Sequence, residues 1–124
     1  AARGVPYGPD DGTLSPPAVL ACLPFTPGLA LEALATMCRR HPEIIHENGF
    51  TSGFNADLRD GDGKVWVSPG LFGHDQGIIV LMIENHRSGL PWRLMRDCKP
   101  IVDGLRRAGF DGGWLDAAPG GGQP

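Results

Sequence analysis

Hydrophobic positions along this chain follow three patterns, and each predicts a different kind of element. Between residues 27 and 40, Leu31, Leu34 and Cys38 recur at helical spacing, with Ala30 and Met37 at the edges of the stripe. One face of that helix should meet a core and the other solvent. Arg39 and Arg40 close its last turn, where cations favour the negative end of the helix dipole, and Pro42 marks the exit. A shorter helix is predicted over residues 16–23, stopped by Pro24. Both begin with a capping residue followed by proline, Ser15-Pro16 and Thr26-Pro27, as a helix N-terminus prefers, and Ser68-Pro69 carries the same start signal. Residues 43–68 lose the helical period. There, ENGFTSGFN and KVWVS read as short strands or extended segments around the turn-rich RDGDG.

The third pattern lies in residues 66–92, WVSPGLFGHDQGIIVLMIENHRSGLPW. A helix begins between residues 69 and 75 and ends at Ser88-Gly89. On a wheel of about 100° per residue, IIVLMI at residues 78–83 covers every direction around the axis. A helix apolar all round calls for protein on every side. The last helical region starts near Pro91, breaks around Asp97 and Pro100, and ends at Gly109 after Arg106 and Arg107. Its stripe is Ile101, Val102 and Leu105. The pattern therefore predicts a mainly α chain of two helical hairpins, each pairing a more buried first helix with a more amphipathic second. A long loop containing a short β-hairpin-like segment joins them. Residues 1–9 read as an irregular lead-in, 10–116 as the organised part, and 117–124, with APGGGQP, as a disordered tail.

Composition narrows the function more than the fold. At 124 residues the chain is one domain at most. A formal charge of -3 argues against a nucleic-acid partner, which needs a basic surface. The longest apolar run, residues 78–83, is too short to span a bilayer. The start, AARGVPYGP, has neither an apolar leader nor Met, as expected of a processed product or a piece of a longer chain. Cys22, Cys38 and Cys98 lack metal-type spacing and read as small buried side chains. His41, His46, His74 and His86 form no HExxH, and Asp57, Asp60 and Asp62 do not match a calcium loop, so DLRDGDG reads as a hairpin turn. Neither a metal nor a cofactor is predicted.

The segment GLFGHDQGIIVLMIENHRSGLPW resembles the signature near the C-terminus of the glycoamylase-like domain family, which includes bacterial endo-β-1,2-glucanases and a domain of cyclic β-1,2-glucan synthases. DGTLSPPAVLACLPFTP, and NGFTSGFN followed by WVSP, match the same family in the same order, so the resemblance covers residues 10–111. It implies an (α/α) toroid of six helical hairpins, of which this chain is the C-terminal portion and the helix of residues 78–83 an inner helix. Isolated, such a portion would expose apolar surface. His74 stands where the family usually has an aliphatic residue, Ile78 where Pro is common, His86 where an aromatic is usual, and Gly28 where a carboxylate is common. The resemblance further implies a glycoside hydrolase or transglycosylase acting on β-glucan, with β-1,2 linkage expected, in the periplasm or cell envelope. Its partners would be an oligo- or polysaccharide and the remaining hairpins of a longer chain.

In that frame Asp75 and Gln76, at the start of a buried helix, border the cavity and offer acceptors and donors for sugar hydroxyls. The plainer reading of Asp75 is a helix cap or dipole partner. His74 sits beside them, and Gly73 and Gly77 would let backbone or ligand come close. Asp11 and Thr13 either form a turn or face the cavity. Trp66 either stacks on a sugar ring or packs in the core. Asn55, next to Phe54, is a candidate hydroxyl partner, and Trp92 reads as inter-helix packing. Glycoside cleavage needs two carboxyl groups about 5–10 Å apart. Asp75 and Glu84 are about 13 Å apart along one helix and on opposite sides, so they cannot form that pair. The resemblance places the principal acid–base residues upstream. The alternatives are a non-catalytic saccharide-binding or partner-packing module, and a small helical domain with no sugar role.

Overall fold

The Ala18 amide donates to Ser15 Oγ at 3.4 Å, and that cap opens helix α1, Pro16–Ala21. The computed structural model describes residues 11–116, so the expected lead-in and disordered tail lie outside the described residues. Helix α1 is shorter than predicted, because Cys22 and Leu23 already turn back onto its last carbonyls. Helix α2, Pro27–Arg40, starts at the predicted proline, although Thr26 makes no side-chain cap. The two pack together through Leu20, Leu23 and Ala30, all at 5% exposure or less. The buried line of α2 therefore runs through Ala30, expected only at its edge, while Leu31 is 54% exposed. A small side chain lets α1 pack closely against this helix. Cys22 is exposed at the end of α1, and Cys38 and Cys98 are half-buried, so the expectation of three buried thiols is corrected.

After α2 a single 3-10 turn, Pro42–Ile44, leads into four short strands: β1 Ile45–His46, β2 Gly49–Phe50, β3 Phe54–Arg59 and β4 Val65–Val67. They form two antiparallel pairs, β1 with β2 and β3 with β4. Phe54, fully buried, exchanges both backbone hydrogen bonds with Leu14, which brings the segment before α1 against β3. The predicted turn in RDGDG is present. Asp60 Oδ1 accepts from the Asp62 and Lys64 amides, each at 2.9 Å, and Gly63 takes the left-handed φ of 76°. Phe54 pairs with Val67 and Asn55 with Trp66, but Arg59 is already opposite Val65. The surplus residues bulge from β3.

Ser68-Pro69 does not start a helix. Ser68 is held by the sheet, its amide donating to the Gly53 carbonyl at 2.8 Å, and the turn Pro69-Gly70 carries the chain to α3, Gly73–Ser88. The described residues divide into two units, one up to Ile83 and one from Glu84 onward, with the division inside α3. The expectation of burial on all sides of residues 78–83 is corrected. Ile79 is buried, whereas Val80, Leu81 and Ile83 are 66%, 53% and 36% exposed. Exposed apolar surface is what the family resemblance implied for an isolated portion.

In the second unit Asn85 is buried and its side-chain oxygen accepts from the Trp92 amide at 3.0 Å. Gly89, at φ 66°, turns the chain into α4, Leu90–Arg96, which packs against α5, Lys99–Arg107. The predicted break falls between them at Asp97 and Cys98. Ile101, Val102 and Leu105 are half-buried on α5, as their stripe predicts. Arg106 donates to the carbonyl of buried Leu115 at 2.8 Å, fixing the segment that follows.

Among the described glycines, Gly49 is the one where a side chain would meet the nearest atoms. Its φ is 130°, and a Cβ there would come within 2.0 Å of Gln76 Oε1. Gly49→Ala is expected to push Gln76 off its partners and to lower unfolding stability by about 2 kcal/mol, read from the urea midpoint.

Candidate functional site

The first turn of α3 is bound to the loop that follows β2. The Phe72 carbonyl accepts from both the Asp75 and the Gln76 amides, at 3.0 and 3.2 Å, which sets the start of the helix and puts both side chains in its first turn. Gln76 then reaches the backbone of Phe50. Its Oε1 accepts from the Phe50 amide at 3.2 Å and its Nε2 donates to the Phe50 carbonyl at 2.7 Å. This two-way clamp occupies half of what a primary amide can do and leaves one N–H and one lone pair.

Asp75 is 15% exposed and has a partner on each oxygen. Ser52 Oγ donates to Oδ2, and His74 Nδ1 lies 3.0 Å from Oδ1. His74 itself is 79% exposed. The positive end of the helix dipole also favours the Asp75 charge. A carboxylate has about four lone-pair sites, so two protein contacts leave capacity for incoming hydroxyls. Gly73 and Gly77 stand two residues to either side of Asp75 along the helix, and a Cβ at either would meet nothing within 4 Å. The chain's own packing does not require glycine there.

Asn55, Asp11, Thr13 and Trp66 gather elsewhere. Asn55 is fully buried, and its side chain is saturated. Nδ2 donates to the Asp11 carbonyl at 2.6 Å and to Thr13 Oγ1 at 3.2 Å, while Oδ1 accepts from the Asp57 and Leu58 amides at 3.0 and 3.1 Å. All four hydrogen-bonding positions of the amide are taken by the chain itself. Asp11 is exposed, and its Oδ1 accepts from the Thr13 amide at 3.0 Å in an Asx turn. Trp66 is half-buried and pairs with Asn55 across the β3–β4 ladder, so both side chains leave the same face.

Asp75, Gln76 and His74 thus share one place with Ser52 and Phe50, and the other predicted residues form a structural staple. Sequence reading missed Ser52 and Thr51. Thr51 is fully buried, its hydroxyl 3.1 Å from the Ser68 carbonyl and 3.3 Å from that of Gly53. A Thr-Ser pair before Gly53 is all the signal the sequence offers, and it names no partner. A separate open cleft of about 600 Å³ lies between His46 and the β3–β4 hairpin, with Glu43, Asp60 and Lys64 at its rim, and holds none of the predicted residues. Among the described residues no group of His, Cys, Asp and Glu has an arrangement that would hold a metal ion.

Comparison with known proteins gives this geometry its context. Residues 1–99 match the family Glycoamylase, whose description reads "Putative glucoamylase". The chain is 33% identical over 99 residues to the exo beta-1,2-glucooligosaccharide sophorohydrolase (non-reducing end) of Parabacteroides distasonis, covering 79% of this chain and 13% of that protein. It superposes on the crystal structure of a beta-1,2-glucanase from Parabacteroides distasonis with a TM-score of 0.63 and 33% identity, over 79% of this chain and 13% of the other. The endo-beta-1,2-glucanase from Chitinophaga pinensis, solved with sophorotriose and glucose, aligns with a TM-score of 0.66 and 31% identity, over 93% of this chain and 26% of that one. The chain thus spans only a small part of the relatives it matches.

The saturation of Asn55 gives a direct test. Asn55→Ala leaves two buried-side carbonyl or hydroxyl acceptors and two amides without their partner, and is expected to cost about 2–4 kcal/mol of stability. Asp75→Ala should cost less than about 1 kcal/mol at its half-buried position. Equal urea midpoints for the two variants would contradict the division into staple and site.

Proposed function

This chain belongs to the Glycoamylase family, and on that premise we propose that it lines part of the saccharide cavity of a glycoside hydrolase or transglycosylase acting on β-glucan. The substrate class is β-1,2-linked glucan, the linkage named for the relatives from Parabacteroides and Chitinophaga. The observation that carries the proposal is Asp75. It is a carboxylate held on both oxygens at the N-terminus of α3, with unused acceptor capacity. Sugar hydroxyls are donors that such a group binds well. Gln76 and His74 are its neighbours in the same helical turn, with one N–H of Gln76 still uncommitted.

Cleavage would need a second carboxyl group across the scissile bond. On the family resemblance, the proposed partner carboxylate comes from outside this chain. The same proposal places the helical segments as the C-terminal hairpins of an (α/α) toroid. Further hairpins would cover Val80, Leu81 and Ile83, whose exposure is costly in water.

Calorimetric titration of the full chain with short β-1,2-gluco-oligosaccharides tests the reading, after circular dichroism has established that it folds. Wild type is expected to bind. Asp75→Ala, losing a charged hydrogen-bond acceptor worth about 1.5–3 kcal/mol, should bind about 10- to 150-fold more weakly. A folded wild-type chain that binds none of these sugars would overturn the proposal.

A further inference from the structure

We propose that Ser52 is the positioning residue of this site: its hydroxyl fixes the direction in which the Asp75 carboxylate faces. The inference rests on the reading of Asp75 as a saccharide contact and adds the residue that makes the contact directional. Two neighbours hold Asp75, and they differ in kind. His74 is adjacent in sequence and 79% exposed, so its contact with Oδ1 is made in solvent and does not fix a geometry. Ser52 comes from a different element, is half-buried, and donates to Oδ2.

What makes Ser52 a rigid donor is the backbone on either side of it, which is held by bonds that do not involve Asp75. On the N-terminal side, the Thr51 amide donates to the Ile44 carbonyl at 3.0 Å, and the Thr51 hydroxyl sits against the carbonyls of Gly53 and Ser68. On the C-terminal side, the Gly53 carbonyl accepts from the Ser68 amide at 2.8 Å, and Phe54 is paired both ways with Leu14. One residue earlier, Gln76 clamps Phe50. Thr51, Gly53 and Phe54 are all buried. The hydroxyl of Ser52 therefore projects from a fixed loop, and the carboxylate turns to meet it. With Oδ2 anchored, the remaining lone pairs of Asp75 point in one direction, and the rotamer freedom that binding would otherwise remove is already spent.

The test compares wild type with Ser52→Ala, which removes the hydroxyl, and Ser52→Thr, which keeps it. Two readouts are taken on the full chain: the Hα–Hβ scalar couplings of Asp75 by NMR, which report its χ1 rotamer without any ligand, and calorimetric affinity for β-1,2-gluco-oligosaccharides. Wild type and Ser52→Thr should show one Asp75 rotamer and similar affinity. Ser52→Ala should show averaged couplings and about tenfold weaker binding, with its unfolding midpoint near that of wild type. A single unchanged rotamer in Ser52→Ala, or undiminished affinity, overturns the proposal. Averaged couplings in Ser52→Ala, restored in Ser52→Thr, with no sugar bound by wild type, would confirm the anchor and sink the saccharide reading instead.

Discussion

The first turn of α3 is joined to β2 and the loop after it by three side-chain hydrogen bonds that bridge more than twenty residues of sequence: two between Gln76 and the Phe50 backbone, and one from Ser52 to Asp75. Neither partner could settle alone. β1 and β2 are two residues each, well below the size at which a hairpin is stable unaided, and a helix start has donors to satisfy but no address in space. The clamp gives the short hairpin a partner beyond itself and gives α3 a fixed origin. It works because Gly49 carries no side chain where Gln76 arrives. The candidate chemistry grows out of the same bonds, since the residue next to the clamp is the carboxylate and the residue two after Phe50 is its anchor.

Asn55 performs the equivalent task on the other side of β3. One buried amide ties residues 11–13 to the strand and at the same time stabilises the bulge at Asp57 and Leu58. A buried polar group on this scale is stabilising only when every position is filled, and here each one is. The two amides share a chemistry and differ in occupancy. Gln76 is half committed at an accessible helix start, whereas Asn55 is fully committed at 0% exposure. That difference separates a group able to meet a ligand from one that serves the fold.

Most of the helical architecture was legible because its signals are local. Ser15-Pro16, Thr26-Pro27 and Gly89 each specify an end by their own backbone preferences, and the stripe on α5 follows from spacing alone. The turn at Asp60 was legible for the same reason. The errors have a common cause as well. Ala30 takes the buried line of α2 because of what packs on it, and Ser68-Pro69 is claimed by the sheet before it can start a helix, so in both places a distant partner outweighs a local preference. At the site, Asp75 and Gln76 stood out by their place before an apolar run. Ser52 did not, since a serine's worth depends on which acceptor the fold brings to it, and that acceptor lies twenty-three residues away.

The exposed part of α3 shows how these two levels meet. Its wheel is apolar in every direction, yet of residues 78–83 Ile79 alone is buried, while Val80 and Leu81 stand more than half exposed. A sequence written only for the packing seen here would place polar residues at those positions, as α5 does on its outer face. The pattern instead suits a helix enclosed by more protein than this chain supplies, and relatives of which the chain covers 13% and 26% contain several times as much. On the proposed toroid, burial of that face and completion of the carboxyl pair would come from the same additional hairpins. Water would then be excluded from Asp75 only when the second carboxylate is in place, which couples the assembly of the core to the assembly of the site.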